Sequence, residues 1–227
     1  MVNLGHINDI KYMRYDIINN LARKFGYKSY IEIGLRNPEE CFDHIIIESK
    51  DSVDPGFEAS VNHAKYKFTS DDFFSRLEAG NLDRPSDFKW DIIFIDGLHT
   101  SYQVEKDIEN SLRHLSENGT IVLHDCNPPT EHHARCYYYD FNTPAQGCWN
   151  GTVWKAIYKL RCTNPGVDVC VVDVDWGCGI VRRGSQQLCE FDNPYFDYDI
   201  FSERRSRHLN LISPEELDSW IDSPFYR

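Results

Sequence analysis

Trp90-Asp91-Ile92-Ile93-Phe94-Ile95-Asp96-Gly97-Leu98-His99 is the stretch that decides the fold. An apolar run ending in an acid predicts a strand covered on both faces in a parallel sheet. Val104, Ile108, Leu112 and Leu115 then mark one helical face. Gly119–Asp125 is a second apolar strand that again ends in an acid. Strand, helix and strand in this order predict a right-handed βαβ crossover.

The same alternation extends in both directions. Upstream, Ile10, Met13, Ile17, Leu21 and Phe25 recur at helical spacing, and Gly26 ends that helix. Ser29–Ile33 reads as a strand closed by Gly34, and Pro38 opens a helix expected to run to about Glu48. Ser52–Asp54 and Lys65–Thr69 read as short strands. Downstream, Pro128-Pro129 breaks the pattern, and Thr130–Trp149 is a polar, aromatic loop or lid containing His132, His133 and Tyr137–Tyr139. A helix is expected at Thr152–Leu160. Val167–Val174 and Gly179–Arg183 read as an antiparallel hairpin. In the acidic, aromatic tail from Phe191, Ser213 and Glu216 form a capping box for a small helix over Pro214–Ile221. The expectation is one domain over 1–227. Its core spans about 28–183, with an N-terminal helix in 1–27, a substrate loop at 130–150 and a C-terminal extension at 190–227.

Composition removes several classes. In 227 residues, 24 basic against 36 acidic side chains leave a net charge of −12. A nucleic-acid partner is therefore not expected, because phosphate neutralisation needs a basic footprint. No apolar run approaches the ~18 residues of a membrane span. No basic start followed by an apolar stretch opens the chain, so a cytoplasmic protein is expected. The eight cysteines include no C-x-x-C pair, and reduced thiols are the expectation in that compartment. A small-molecule or carbohydrate substrate fits the charge balance, and a homo-oligomer is left open.

In a doubly wound sheet the ligand lies beyond the carboxyl ends of the strands, and these ends are polar here. Glu32 and Gly34 follow the first strand, Asp54 the second, Ser70 and Asp71-Asp72 the third, Asp96 to His99 the fourth, and His124-Asp125 the fifth. Asp54 stands about 20 residues after Gly34, where an acid accepts hydrogen bonds from ribose hydroxyls. A dinucleotide is disfavoured because Gly34-Leu35-Arg36-Asn37-Pro38 lacks the glycines that a pyrophosphate needs. If the fourth and fifth strands are neighbours, the tips at Asp96 and Asp125 stand roughly 5 Å apart. Two such carboxylates repel unless a cation or proton lies between them, and oxygen donors suit Mg²⁺. His99 has the side chain suited to general-base work near neutral pH. In a regular strand His124 points to the face opposite Asp125. Bland readings stand beside each of these: Asp54 and Asp96 as helix caps, Asp125 as a turn residue, and His99 as a packed histidine.

Tyr30–Gly34, Val53-Asp54-Pro55, Asp91–His99 and Gly119–Asp125, taken in order, resemble class I S-adenosylmethionine-dependent methyltransferases. The resemblance covers roughly residues 28–183. It implies a Rossmann-like α/β fold, a doubly wound, mostly parallel seven-stranded sheet with an antiparallel C-terminal hairpin. It places Glu32 and Gly34 beside the methionine part of S-adenosyl-L-methionine, Asp54 on its ribose and Ser70 or Asp72 near its adenine. Asp96 borders the cofactor as well. The Asp-Gly-x-His segment is similar to that of metal-dependent sugar and macrolide O-methyltransferases, which implies Mg²⁺ on Asp96 and Asp125 with His99 as base. Those enzymes often carry an acid where this chain has His124. The competing readings are methylation of a non-sugar small molecule at oxygen or nitrogen, a nucleotide-dependent oxidoreductase, and a non-catalytic nucleoside-binding protein.

Overall fold

The computed structural model describes residues 12–58 and 60–223. Seven strands form one sheet: β1 (Ser29–Ile33), β2 (Ser49–Val53), β3 (Trp90–Ile95), β4 (Leu115–Leu123), β5 (Val167–Val172), β6 (Cys178–Arg183) and β7 (Leu211–Ile212). Their order is β2-β1-β3-β4-β6-β5-β7. The sheet is mixed. β1 pairs in parallel with β2 and β3, β5 runs antiparallel to β6, and β7 rejoins β5 in parallel. This is the expected α/β class with its antiparallel C-terminal hairpin.

Beyond Met13 the chain forms two compact units, Arg14–Leu98 with Gln103–Val122, and His99–Tyr102 with Leu123–Arg227. In the first, α1 (Arg14–Phe25) buries Ile17, Ile18 and Leu21. Ile10 of the expected opening helix lies outside the described residues. β1 and β3 are buried along nearly their whole length, as their apolar sequence requires. α2 (Ser70–Glu78) adds Phe73, Phe74 and Leu77 to the core. Buried Asp51 is compensated by Lys65 Nζ at 2.8 Å, Arg84 Nε at 2.9 Å and Trp90 Nε1 at 3.0 Å. A buried carboxylate needs that many partners.

In the second unit α4 (Val153–Thr163) buries Val153, Trp154, Ile157 and Tyr158. Strand β5 is buried at all six positions. α5 (Tyr198–Leu209) is capped by Asp197, whose side chain accepts from the backbone N–H groups of Asp199 and Ile200. Phe201 of α5 stacks on Trp154 with ring centroids 4.1 Å apart. α6 (Leu217–Ile221) follows a short 3-10 turn, and the Ser213–Glu216 capping box is present. α3 (Ser101–His114) leads into β4.

Several local expectations are corrected. The helix expected from Pro38 to Glu48 is only two single 3-10 turns, Pro38–Glu40 and Phe42–His44. Between them Cys41 adopts φ −149°, and the β-branched run Ile45–Ile47 stays non-helical. Lys65–Thr69 is no strand and contributes one isolated bridge, Tyr66 to Val53. Ser70, Asp71 and Asp72 therefore sit in the first turn of α2 rather than at a strand end, with Thr69 Oγ1 accepting from Asp72 N–H at 3.2 Å. β4 begins at Leu115, four positions before the expected Gly119. Thr130–Trp149 forms turns without a helix or strand.

Candidate active site

The ends of β1 and β3 are locked together by a glycine. Gly34 has φ +101°, and a Cβ there would stand 2.2 Å from the Asp96 carbonyl oxygen and 2.5 Å from Gly97 Cα. Only glycine meets both conditions. Asp96 N–H donates to Ile33 O at 2.8 Å and Gly34 N–H to Val53 O at 2.8 Å, so the chain leaves β1, β2 and β3 at one level.

Two acids stand at this level. Glu32 is buried, and its Oε2 accepts the Tyr30 hydroxyl at 2.5 Å. Burial pushes its carboxyl up to about 8, the Tyr30 hydrogen bond opposes that shift, and the Asp96 charge adds to it. Asp96 accepts Arg14 Nη1 at 2.8 Å, with both side chains largely buried. Arg14 escaped the sequence reading, because an arginine at a helix start gives no signal of the distant strand end it reaches. Asp54 follows β2, half-buried; its Oδ1 accepts Gly56 N–H at 2.5 Å, and burial raises its carboxyl. Ser70 Oγ accepts Gln103 Nε2 at 3.1 Å. Asp72 is exposed on α2.

In the second unit His99, His124 and Asp125 come together. Asp125 adopts φ +60°, just past the end of β4. That left-handed residue breaks the strand alternation, so His124 and Asp125 do not point to opposite faces: His124 Nδ1 lies 3.1 Å from Asp125 Oδ2. His124 Nε2 lies 3.4 Å from Asp175 Oδ1, on the turn between β5 and β6. Asp125 Oδ1 accepts Asn150 Nδ2 at 2.8 Å. His99 Nε2 stands 3.3 Å from Asp125 Oδ2, while His99 Nδ1 is 2.9 Å from the Trp149 carbonyl oxygen. A carbonyl only accepts, so Nδ1 carries a proton, and a proton gained by the ring goes to Nε2 opposite the carboxylate.

The segment after the loop clasps His99. Trp149 stacks on its ring at 5.1 Å, and Thr152 N–H donates to its carbonyl at 2.8 Å. Gly151 has φ +62°, and a Cβ there would meet His99 O at 2.1 Å. The 130–149 loop itself is organised by Arg135, whose guanidinium donates to the carbonyls of His132, Tyr137, Tyr138, Gln146 and Cys148. Asn150, Asp175 and Arg135 were not singled out in the sequence, whereas Trp149 was expected only as an aromatic of the substrate pocket. His132 and His133 share no ligand, since His132 is exposed and His133 Nδ1 is bonded to Thr130 Oγ1 at 2.8 Å.

Parallel strands followed by an antiparallel β5–β6 hairpin place the sheet in the Rossmann-like α/β class. Residues 28–126 match a family model described as a methyltransferase domain. That match covers less than half of the chain. A search of curated proteins finds no match. Among solved structures the chain is similar to the O-methyltransferase TomG from Streptomyces achromogenes, at 15% identity and a TM-score of 0.48, covering 78% of this chain and 82% of that one. It is similar to the methyltransferase PaMTH1 from Podospora anserina, at 17% identity and a TM-score of 0.48, covering 77% and 80%. It is also similar to the methyltransferase MycE from the mycinamycin biosynthetic pathway, at 13% identity and a TM-score of 0.45, covering 77% of this chain and 51% of that one. No helix among the described residues is long and apolar enough to cross a membrane.

Proposed function

We propose that this chain transfers a methyl group from S-adenosyl-L-methionine to a hydroxyl of a small, sugar- or glycan-type acceptor, with His99 as the base. The observation that carries this reading is the His99 geometry, with Nδ1 tied to the Trp149 carbonyl and Nε2 facing Asp125 at 3.3 Å. An imidazole so held takes a proton at Nε2, and the carboxylate stabilises the imidazolium that results.

The cofactor reading rests on the first unit. Gly34 provides the close backbone turn, and Asp54 has acceptor capacity for ribose hydroxyls beyond its bond to Gly56. Glu32 and Asp96 border the methionine end, with Ser70 and Asp72 assigned to the adenine side. Protonated Glu32 beside Asp96 keeps the local charge low enough for two acids to coexist.

For a divalent cation, Asp125 with His124 beside it is the proposed donor group of the second unit, and Asp96 keeps the assignment implied by the sequence resemblance. A carboxylate beside an imidazole suits Mg²⁺ or a similar ion, and the left-handed turn at Asp125 places its carboxylate beside the His124 ring. When bound, the ion supplies Lewis-acid polarisation of the acceptor oxygen. The chain's own residues align donor and acceptor, a contribution that an in-line transfer requires. The exposed rings of Tyr137, Tyr139 and Phe141 offer faces on which sugars stack.

The test is calorimetric titration of the full chain with S-adenosylhomocysteine, with and without Mg²⁺, followed by a metal-dependent acceptor screen. Micromolar binding, about −8 kcal/mol, supports the cofactor reading. Absence of binding under both conditions overturns it. Turnover on non-sugar acceptors alone would move the substrate assignment to the small-molecule alternative.

A further inference from the structure

Seven of the eight cysteines lie in the second unit after Leu123 and before the end of the segment that follows β6, and one pair shares a single acceptor. Cys162 projects from the last turn of α4 with its Sγ 3.8 Å from the Glu190 carbonyl oxygen. Cys189, in the segment between β6 and α5, has its Sγ 3.6 Å from that same oxygen. The segment is bound to α4 on both sides of the pair. Cys189 N–H donates to Arg161 O at 3.0 Å, and Gln186 Nε2 donates to Leu160 O at 3.2 Å and Asn164 O at 2.8 Å. On the other side the Tyr158 hydroxyl donates to Glu190 O at 3.3 Å and Asp192 Oδ1 at 3.2 Å.

We infer that Cys162 and Cys189 are a cross-linking site, oxidised to an intramolecular disulfide by a small disulfide such as glutathione disulfide. Cys162 is partly exposed and Cys189 is buried, so the order of events is fixed. The Cys162 thiolate attacks glutathione disulfide, forming a mixed disulfide and releasing one glutathione. The Cys189 thiolate then attacks the Cys162 sulfur, forming the protein disulfide and releasing the second glutathione. One disulfide is reduced to two thiols as two thiols become one disulfide, and two protons pass to solvent and back to glutathione. Burial and the neighbouring Cys189 push the Cys162 thiol up to about 11, so the first step is slow at neutral pH and accelerates as pH rises.

The remaining cysteines lack this arrangement. Cys126, Cys170 and Cys178 are fully buried, Cys41 lies against the Tyr30 hydroxyl, and Cys136 and Cys148 are exposed on the 130–149 loop. A Cys162–Cys189 link closes the 26 residues between them, which include all of β5 and β6, and it fastens the segment leading into α5 to α4. Constraining the unfolded chain over such a loop stabilises the fold, by roughly 5–10 °C in Tm for a chain of this size.

The experiment equilibrates the full chain with glutathione redox buffers at pH 8, quenches with acid, alkylates under denaturing conditions and maps the peptides by mass. A peptide pair joined through Cys162 and Cys189 is expected, absent after dithiothreitol and absent in Cys162→Ser and Cys189→Ser. The Tm of the oxidised chain should rise by roughly 5–10 °C, and the serine variants should melt with the reduced wild type at every redox ratio. Separate alkylation of Cys162 and Cys189 at the most oxidising ratio overturns the inference. So does a cross-link confined to Cys136–Cys148, or a glutathione adduct that persists on Cys162.

Discussion

His99 and Asp125 face one another at 3.3 Å, Nε2 to Oδ2, and each is held from behind by the segment at 149–152. Trp149 O fixes the far nitrogen of the imidazole, and Asn150 Nδ2 occupies the other carboxylate oxygen. One short stretch thus orients both members of the pair.

Replacing His99 by Gln should lower kcat by about 10²–10⁴-fold, the usual contribution of a positioned base, with cofactor affinity unchanged. The pH–rate profile should lose its limb governed by the imidazole. Steady-state kinetics beside calorimetry check this; retained turnover with an unaltered profile would remove His99 from the chemistry.

Gly34→Ala should cost several times more than Gly80→Ala. Both glycines have positive φ, +101° and +69°, but a Cβ at Gly80 meets nothing within 4 Å, whereas one at Gly34 strikes the Asp96 carbonyl at 2.2 Å. About 1 kcal/mol is expected for Gly80→Ala from backbone strain alone, and about 3 kcal/mol or more for Gly34→Ala. Chemical denaturation of the two variants reads the difference, and equal costs would mean that the close approach is not a constraint.

Glu32 sets a pH dependence of one sign. Its folded-state pKa of about 8 lies above the ordinary 4.5, so between these values the folded chain binds more protons than the unfolded one. Its contribution is fully present below about pH 4.5 and is lost as pH rises through 8, with an upper bound of about 5 kcal/mol. Glu32→Gln, which mimics the protonated acid, should flatten the fall in stability between those limits. Denaturation midpoints measured across that range decide the matter, and parallel curves for the two proteins would contradict the protonated state.

His208 sets the opposite sign. It is fully buried, its Nε2 donates to Asp192 Oδ1 at 2.9 Å, and its Nδ1 has no hydrogen-bond partner. Protonation would bury a second N–H without an acceptor, close to Arg207 and Arg204, and burial followed by those charges lowers the ring to about 4. Between pH 6.5 and 4 the unfolded chain binds more protons, so stability present above pH 6.5 is lost as pH falls, by about 3 kcal/mol at most. His208→Gln should remove that slope, as read by acid titration of the fluorescence of the buried Trp154.

Much of the architecture was legible because two patterns rarely conflict. Continuous apolar runs such as Ile92–Ile95 and Ile121–Leu123 belong to strands covered on both faces, and both proved so. α2 was hidden because Lys65–Thr69 alternates like a strand and runs straight into it; the usable signal was Thr69 as a cap before Asp71 and Asp72. α5 gave little periodicity because it buries only Phe201, His208 and Leu209, leaving Asp197 as its one clear mark. Among the candidate site residues, those at the ends of strands could be picked out, whereas Arg14, Asn150 and Asp175 could not, since each acts across a distance in sequence that no local pattern encodes.

The sequence by itself determined which segments are strands and which acids terminate them, because burial on both faces and chain reversal leave their mark residue by residue. Only the tertiary structure decided which polar groups meet. The left-handed turn at Asp125 brings His124 to its carboxylate, the glycine at 34 brings two strand ends into contact, and the 149–152 segment fixes His99. Those pairings depend on directions and distances of a few ångströms, which packing of the whole chain sets and local composition does not.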